Sequence, residues 1–368
     1  MSLTAGIVGL PNVGKSTLFN AITKAGALAA NYPFATIEPN VGVVSVPDYR
    51  LDVLNAMYNP KSLVATTFEF TDIAGLVKGA SKGEGLGNQF LSNIRNVDAI
   101  CQVVRCFEDS NITHVEGSID PIRDIEIINL ELIFSDLDVI EKRIPKIEHK
   151  AQSKVDNADV EYRLLLRMRE FLNEGKFVSE LEFSEEESKM VKSFSFLTQK
   201  PMLFVANVSE DDLTNLDVNE HYKKLMSYAE SHNMKVIPIC AELEAELSDF
   251  SPEEKKDYLD ELGIKESGLD SLIRASYDLL GLATFFTAGE KEVRAWTFKK
   301  GMKAPQCAGV IHTDFERGFI KAEVVSYEDL VKDGSLLEAK AKGHVRQEGK
   351  DYLFQDGDVT LFKFNVSK

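Results

Sequence analysis

The stretch Gly9-Leu-Pro-Asn-Val-Gly14-Lys15-Ser16-Thr17 constrains the fold more than any other part of the sequence. It follows a short apolar run and leads into a helical pattern, so the local order is strand, glycine loop, helix. That context turns G-x-x-x-x-G-K-S/T into the prediction of a phosphate-binding loop. Backbone N–H groups and the helix N-terminus attract phosphate, Lys15 adds a mobile positive charge, and the Ser16 hydroxyl can ligate Mg²⁺.

Two later segments predict the other groups that a Mg²⁺–nucleotide needs. Thr36 lies in a loop rich in helix and strand breakers, and such a threonine can close over Mg²⁺ when a γ-phosphate is present. An ordinary turn threonine is the alternative. Asp72 ends an alternating strand, where it can hold a Mg²⁺-bound water, and Gly75 completes D-x-x-G with a backbone N–H for the γ-phosphate.

Composition places the chain among ordinary soluble proteins. Of 368 residues, 44% are hydrophobic and 27% are charged, and the apolar runs are strand-sized, so we expect no membrane span. The sequence enters its first strand without a cleavable leader pattern, and four cysteines without C-x-x-C spacing suggest buried free thiols. We therefore expect a cytoplasmic protein.

Charge restricts where nucleic acid can bind. The formal net charge of −17 argues against a whole surface that grips nucleic acid, and DNA is not an expected partner. Residues 281–368 are nearly neutral, however, with 14 Lys and Arg against 13 Asp and Glu. Any contact with RNA should therefore be local and towards the C-terminal end. The candidate residues are Lys299, Lys300, Lys303, Arg317, Lys321, Lys340, Lys342 and Arg346.

The middle of the chain departs from the alternating α/β pattern. Apolar residues repeat at spacings of three and four, which predicts a helix-against-helix seam with a kink or break at Pro145. The seam residues are Leu130, Ile133, Leu137, Ile140, Ile144 and Ile147. A second helical stretch contains Leu164, Met168, Phe171 and Leu172, and Ser184-Glu-Glu-Glu187 predicts a capping box for a third helix. Residues from about 281 predict a small α+β unit, with the alternating strands 293–298 and 351–364.

The motifs resemble the Obg group of P-loop NTPases. Gly9-x-Pro-Asn-Val-Gly-Lys-Ser, Asn31-Tyr-Pro-Phe-x-Thr36-Ile and Asp72-x-Ala-Gly75-Leu carry the resemblance. Gly75-Leu-Val-Lys-Gly-Ala-Ser-Lys-Gly-Glu-Gly-Leu-Gly-Asn-Gln-Phe and Thr113-His-Val-Glu-Gly-Ser-Ile-Asp-Pro-Ile-Arg-Asp are similar to its YchF (Obg-like ATPase) branch. The resemblance runs essentially end to end. It implies a coiled-coil arm, a C-terminal TGS domain with a ubiquitin-like β-grasp fold, and the ribosome as partner.

These observations predict an α/β P-loop NTPase domain of the Ras-like type, with an inserted helical coiled-coil arm and a C-terminal α+β domain. The predicted boundaries are 1–133 and 199–280 for the nucleotide domain, 134–198 for the arm and 281–368 for the TGS-like domain. The predicted nucleotide-binding residues are Gly9, Asn12, Val13, Gly14, Lys15, Ser16, Thr17, Asn207, Val208, Glu210, Cys240 and Ala241. The predicted Mg²⁺ ligands are Ser16, Thr36 and Asp72.

The base-reading segment predicts that ATP binds at least as well as GTP. GTPases of this class read guanine with N-K-x-D, whose aspartate accepts hydrogen bonds from two guanine donors, whereas this chain has Asn207-Val208-Ser209-Glu210. The lysine that packs on the base is absent and the carboxylate is longer and displaced. Losing such a contact can remove discrimination by orders of magnitude. The alternative is that Glu210 still reaches guanine.

Hydrolysis requires a group that orients water. In Ras-like switches a glutamine directly after D-x-x-G does this, but here that position is Leu76, so basal turnover should be slow. His114, in a loop after a buried strand, is the candidate replacement because neutral imidazole can orient or deprotonate water. A surface histidine is the alternative. The predicted catalytic set is His114, Lys15, Gly75 and Leu76.

The leading functional hypothesis is a slow ATP-hydrolysing switch that docks on the ribosome, with Mg²⁺ as cofactor. K⁺ is a second candidate cofactor, because Asn12 occupies the position that helps to coordinate it in K⁺-stimulated relatives. Alternatives are a GTP-specific Obg-type GTPase, a non-catalytic nucleotide-regulated RNA-binding adaptor and a metabolic P-loop kinase. The kinase is disfavoured because no lid-like segment with clustered arginines is visible.

Overall fold

A computed structural model describes residues 3–28, 40–73, 86–152 and 158–365. By their contacts these residues divide into two compact units. The first takes the described residues up to 43 and those from 69 to 272, and the second takes 44–68 and those from 273 onward. This division differs from the predicted domain boundaries, which place 44–68 in the nucleotide domain and separate 134–198 from it.

The described strands and helices follow the chain in this order. The strands are β1 Thr4–Val8, β2 Val41–Ser45, β3 Leu63–Val64, β4 Thr67–Asp72, β5 Ala99–Arg105, β6 Met202–Asn207, β7 Val236–Ile239, β8 Leu282–Ala288, β9 Val293–Lys299, β10 Phe319–Ser326, β11 Arg346–Glu348 and β12 Asp358–Phe364. The helices are α1 Lys15–Leu28, α2 Tyr49–Tyr58, α3 Leu86–Asn96, α4 Pro121–Gln152, α5 Ala158–Asn173, α6 Glu185–Phe194, α7 Glu210–Leu213, α8 Glu220–Ser231, α9 Ala241–Leu247, α10 Pro252–Glu261, α11 Gly268–Leu279, α12 Ala304–Ile311, α13 Thr313–Arg317, α14 Tyr327–Asp333 and α15 Leu336–Ala341.

The first sheet positions the functional site. Its six described strands have the order β2-β4-β1-β5-β6-β7. β1 pairs in parallel with β4 and β5, and β6 pairs in parallel with β5 and β7. Every residue of β5 and β6 is buried, as expected for apolar strands in the middle of a parallel sheet. Because parallel strands end at the same edge, the loops after β1, β4, β5, β6 and β7 are brought together.

The long helix α4 confirms the predicted helical segment but corrects two details. Helix α4 is continuous through Pro145, so the predicted break does not occur there. Ile133, Ile140 and Ile144 of the predicted seam are buried, whereas Leu130 is 46% exposed. The assignment of Leu130 to the seam was therefore wrong.

The burial pattern of α4 explains the error at Leu130. Helix α4 packs against β5 and α8 as well as against α5, so it faces more than one element. The buried stripe there includes Ile125, Ile128 and Leu132, which follows the 3.6-residue period of a helix on a broad surface. A strict 3.5-residue seam holds only where one helix faces one other helix. The capping box between Ser184 and Glu187 at the start of α6 is confirmed.

The second unit includes a helix from early in the sequence. Leu51 and Leu54 of α2 belong to the same buried cluster as Phe286. Arg50 donates from Nη1 to Oδ2 of Asp356 at 2.7 Å, and its guanidinium lies 5.2 Å from the Phe286 ring centroid. These contacts explain why residues 44–68 are grouped with the C-terminal residues. Local sequence patterns do not contain this information.

The second sheet confirms the predicted α+β character of the C-terminal residues. Its order over the described strands is β11-β10-β12-β8-β9-β3. β10 pairs antiparallel with β11 and β12, β8 pairs antiparallel with β9, and β12 pairs in parallel with β8. Helix α12 covers one face, where Cys307 packs among Phe285, Phe298 and Phe362.

Two predictions from composition can be compared with the structure. All four cysteines are free and buried, as predicted. Among the helices of the described residues, none has the length and apolarity needed to cross a membrane.

Asp136 supports a testable prediction about the junction of α4 with residues 197–199. Its carboxylate is fully buried and accepts hydrogen bonds from the backbone N–H of Leu197 at 2.9 Å, from the N–H of Thr198 at 2.8 Å and from the Thr198 hydroxyl at 2.8 Å. Asp136→Ala leaves these donors buried and unpaired, so the free energy of unfolding should fall by about 3 kcal/mol. Urea unfolding at pH 7 measures it.

Asp138→Ala is the matched control for that experiment. Asp138 lies on the same helix and forms an exposed ion pair with Lys142, so its removal should change the unfolding free energy by less than about 0.5 kcal/mol. Equal losses in the two variants would contradict the structural role assigned to Asp136.

Candidate functional site

A cleft of about 1000 Å³ opens at the carboxyl ends of the strands in the first sheet. It is lined by 10–12 and 14–17 after β1, by Asp72 at the end of β4, by 107–110 and 112 after β5, by 207–210 at the end of β6 and by 240–242 after β7. Every lining segment thus follows or ends a strand of the parallel sheet. The volume lies at the upper end of the range usual for small-molecule sites.

The loop between β1 and α1 has the backbone that the glycine motif requires. Asn12 and Gly14 have φ angles of 63° and 92°, in the region that glycine and asparagine tolerate best. A Cβ on Gly14 would lie 2.0 Å from Nδ2 of Asn207. The helix α1 begins at Lys15, so the N–H groups of its first turn face the cleft without partners inside the helix.

Lys15 and Asp72 meet inside the cleft. Lys15 is 8% exposed, and its Nζ forms an ion pair with Oδ1 of Asp72. Both residues line the cleft beside Ser16. The arrangement places one cationic amine, one carboxylate and one hydroxyl at a single point, which is the set of groups that a phosphate chain with a hard divalent cation requires.

Asn207 links two of the lining segments. Its Nδ2 donates to the carbonyl oxygen of Val13 at 2.9 Å, and its Oδ1 accepts from the N–H of Ala241 at 3.0 Å. The side chain is buried, so each of these bonds would be costly to lose. Asn207 therefore holds the phosphate-binding loop to the start of α9, which explains why an asparagine stands at the end of β6.

Glu210 lines the cleft at the start of α7. Ser209 caps that helix, with its Oγ accepting from the N–H of Asp212. The negative charge of Glu210 raises the pKa of the Tyr258 phenol. Val208 occupies the neighbouring position with an apolar side chain and is buried.

The loop after β5 contributes lining residues that were not predicted from the sequence, which singled out only His114 in this loop. Phe107, Glu108, Asp109, Ser110 and Ile112 all line the cleft. The available signal was their position after a fully buried strand, where ligands of parallel sheets bind. The residue types themselves match no phosphate-binding or base-reading motif, so the sequence pattern gave no reason to select them.

His114 is not among the residues that line the cleft. The residue is 6% exposed. Nε2 lies 2.8 Å from Oδ2 of Asp124, and Nδ1 accepts from the N–H of Glu116 at 3.1 Å. An accepting Nδ1 places the ring proton on Nε2, which then donates to Asp124. Both ring nitrogens are therefore engaged with protein groups.

The structure brings most of the predicted site residues together. Those that line the cleft are Asn12, Gly14, Lys15, Ser16, Thr17, Asp72, Asn207, Val208, Glu210, Cys240 and Ala241. Gly9 and Val13 are not among the lining residues, and a Cβ on Gly9 would be 2.9 Å from Cγ2 of Val13. Thr36, Gly75 and Leu76 lie outside the described residues.

Comparisons with known proteins agree with this geometry. A family model described as "50S ribosome-binding GTPase" matches residues 4–136, and the YchF-GTPase_C model, described as a protein of unknown function, matches residues 282–365. A Bacillus subtilis protein named ribosome-binding ATPase YchF is 62% identical over 366 residues and covers 100% of both chains. The protein of that name from Escherichia coli O157:H7 is 51% identical, again with 100% coverage of both chains.

A solved structure extends the similarity to the fold. The structure of the Schizosaccharomyces pombe YchF GTPase superimposes with a TM-score of 0.89 at 40% identity and covers 98% of each chain. The printed names of these relatives differ on the nucleotide, because the bacterial proteins are called ATPases and the yeast protein a GTPase.

The two hydrogen bonds of the Asn207 side chain, to Val13 and Ala241, support a second prediction. Asn207→Asp keeps the acceptor for the N–H of Ala241 but places a carboxylate oxygen against the carbonyl oxygen of Val13. Affinity for Mg²⁺–ADP should fall about tenfold or more, and the unfolding free energy should fall by about 2 kcal/mol. Titration calorimetry and urea unfolding measure the two quantities. The control Asn173→Asp makes the same change at an exposed position on α5 and should alter neither the affinity nor the unfolding free energy. An unchanged affinity in Asn207→Asp would refute the role of Asn207 in joining the two segments.

Proposed function

This chain belongs to the YchF family, and we propose that it hydrolyses ATP to ADP and phosphate and works as a nucleotide-dependent switch on the ribosome. The observation that carries the proposal is the cleft, in which Lys15, Ser16 and Asp72 meet at the start of α1. The ribosome is the proposed partner because the bacterial relatives are named ribosome-binding ATPases and the matching family model is described as a 50S ribosome-binding GTPase.

Magnesium fits the oxygen groups in the cleft. The Ser16 hydroxyl and the Asp72 carboxylate are hard ligands, and among the described residues no cluster of three or more His, Cys, Asp or Glu side chains could hold a metal alone. Mg²⁺ typically takes few protein ligands and completes its shell with phosphate and water. Bound there with Thr36 as a third ligand, it would neutralise charge on the β- and γ-phosphates.

Lys15 must change partner during nucleotide binding. Its Nζ is paired with Asp72, and the same amine is the group that would contact the phosphates. Asp72 would then be released to hold a water of the Mg²⁺ shell. The exchange replaces one ion pair by two favourable contacts, that of Lys15 with the phosphates and that of Asp72 with the Mg²⁺ shell, so neither charge is left unpaired.

ATP is the proposed substrate because residues 207–210 differ from the N-K-x-D motif with which related GTPases read guanine. Position 210 holds a glutamate in place of the aspartate of N-K-x-D, and Val208 supplies no lysine to pack on a base. Adenine presents no donor pair that would need a carboxylate. A GTP-specific enzyme is the second candidate, favoured by the name of the yeast relative and by the description of the family model.

RNA contact through the C-terminal residues and the helical arm is part of the proposal. Five of the eight basic residues predicted for this role have acidic partners, namely Lys300, Lys303, Lys340, Lys342 and Arg346. Two of these pairs, Lys300 with Asp278 and Lys303 with Asp351, are exposed on both sides, where an ion pair contributes little. A phosphate can therefore replace an acidic partner at small cost.

Phosphate release tests the proposed function. The purified full chain is incubated with Mg²⁺–ATP alone, with ribosomes, or with a panel of small-molecule phosphate acceptors. We expect slow release of phosphate without ribosomes, a changed rate with them, and no phosphorylated acceptor. Lys15→Ala should remove the activity. ATP turnover that produces a phosphorylated acceptor would assign the chain to the kinases, and nucleotide binding without any turnover would make it an adaptor.

The predicted preference for ATP over GTP can be measured directly. In competition titrations against a labelled nucleotide, ATP should bind at least as tightly as GTP. The double variant Val208→Lys with Glu210→Asp restores N-K-x-D and should shift the preference towards GTP about tenfold or more. The variant Tyr258→Phe is the control, because it removes the phenol whose pKa Glu210 raises without restoring the motif. A clear preference for GTP in the unmodified chain would contradict the proposal.

The role of His114 is a separate prediction. To act on water, the ring must leave Asp124 and the N–H of Glu116, since both nitrogens are engaged in the described arrangement. His114→Ala should lower turnover about 100-fold while the dissociation constant of the nucleotide changes less than about twofold. His232→Ala, an exposed histidine on the same unit, should change neither. Turnover that survives the substitution, or affinity that falls with it, would make His114 structural.

A further prediction concerns the effect of K⁺ on turnover. The φ angle of 63° at Asn12 makes Asn12→Gly the suitable variant, because glycine adopts this backbone without strain. If Asn12 helps to coordinate a monovalent cation, K⁺ should accelerate turnover relative to Na⁺ in the unmodified chain and not in Asn12→Gly. Equal turnover in the two salts, or a K⁺ response that persists in the variant, would exclude this role.

A further inference from the structure

Arg105, the last residue of β5, is an arginine that the proposed mechanism does not use. It is 1% exposed and is among the largest fully buried side chains of the described residues. Its guanidinium donates to three backbone carbonyl oxygens, those of Phe107 at 3.1 Å, Asp109 at 3.2 Å and Ile112 at 3.0 Å. The same group lies 4.5 Å from the Phe107 ring centroid.

Arg105 lacks the partner that a buried cation normally has. Within the described part of the chain, no carboxylate lies at ion-pair distance from its guanidinium, although acidic residues are frequent nearby. Its charge is compensated by three carbonyl dipoles and one aromatic face. A buried charge is tolerated only when such groups surround it, so the conformation of 107–112 and the position of Arg105 depend on each other.

The loop that Arg105 holds is a wall of the nucleotide cleft. Residues 107–110 and 112 line the cleft together with the phosphate-binding loop. The next residue, Thr113, accepts a hydrogen bond from Nδ2 of Asn12 at 3.1 Å. Arg105 thus fixes the start and the middle of the loop, and Asn12 fixes its end to the phosphate-binding loop.

We propose that Arg105 is a positioning residue for the nucleotide, which acts by holding residues 107–112 in the conformation that completes the cleft. The proposal rests on the nucleotide-binding function proposed above. Its hydrogen bonds all lie within residues 105–112, so they organise the loop and do not join separate elements of the core. Lysine cannot replace the side chain fully, because only the planar guanidinium presents donors in three fixed directions.

The first test measures how well the loop is ordered in the absence of nucleotide. Hydrogen–deuterium exchange of the peptide that covers 106–113 is compared in the full chain, in Arg105→Met and in Arg105→Lys. We expect exchange in this peptide to rise about tenfold or more in Arg105→Met and by less in Arg105→Lys, with the β-strand peptides unchanged. Unchanged exchange in the loop of folded Arg105→Met would overturn the proposal.

The second test measures the affinity of the cleft for nucleotides. Dissociation constants for Mg²⁺–ADP and for a non-hydrolysable ATP analogue should rise about tenfold or more in Arg105→Met, with a smaller rise in Arg105→Lys. Arg95→Met is the matched control. Arg95 also donates to a backbone carbonyl and to a hydroxyl, those of Ser195 and Ser135, but it does not line the cleft. Equal losses of affinity in the two methionine variants would overturn the proposal.

A double-mutant cycle separates positioning from general destabilisation. Because Arg105 and Asn12 hold the same loop, the effects of Arg105→Met and Asn12→Gly on the dissociation constant should combine to clearly less than their product. The effects of Arg95→Met and Asn12→Gly should multiply, as independent sites do. Multiplicative effects in both pairs would contradict the proposal. Should Arg105→Met fail to fold, the exchange, affinity and cycle measurements are made on Arg105→Lys.

Failure of this proposal can be told apart from failure of the proposed function. If the unmodified chain binds neither ATP nor GTP, the proposed function is wrong, and the exchange experiment alone decides whether Arg105 holds the loop. If the unmodified chain binds nucleotide and the affinity of folded Arg105→Met is unchanged, the function stands and the role of Arg105 is refuted.

Discussion

The two hydrogen bonds of the Asn207 side chain are the interaction on which the cleft depends. One bond reaches the carbonyl of Val13 in the phosphate-binding loop, and the other reaches the N–H of Ala241 at the start of α9. Gly14 approaches the same amide so closely that no Cβ fits. A single buried side chain therefore sets the distance between the part of the cleft that would bind phosphates and the part that would face a base. Loops on three strands become one site because such side chains cross the gaps between them.

Charge is arranged so that a strongly acidic chain can accept an anion. Among the described residues that line the cleft, Lys15 is the one cation, and it is paired with Asp72. Arg105 is buried beside the same cleft, but its guanidinium donates to backbone carbonyls of the loop after β5. One cation thus faces the cleft with a carboxylate partner, and a second is buried among carbonyl oxygens.

The sequence predicted what depends on local pattern and missed what depends on contacts between distant residues. The phosphate-binding loop, Asp72 and Asn207 were found because each is a residue type at a fixed place relative to a strand. Residues 107–112 were not predicted because their residue types match no motif, and His114 was the residue selected from that loop. Leu130 was misassigned because a heptad pattern does not tell how many elements a helix will face. Residues 44–68 were grouped with the nucleotide domain because only tertiary contacts, such as that of Arg50 with Asp356, reveal their partner.

The structure of the full chain with Mg²⁺ and a non-hydrolysable ATP analogue is the most direct test of the central claim, which is that these loops form one ATP-binding cleft. The account predicts the phosphates against the first turn of α1 and Lys15 moved from Asp72 to the phosphates. An analogue bound outside the cleft, or bound inside it with the Lys15–Asp72 pair intact, would contradict the account.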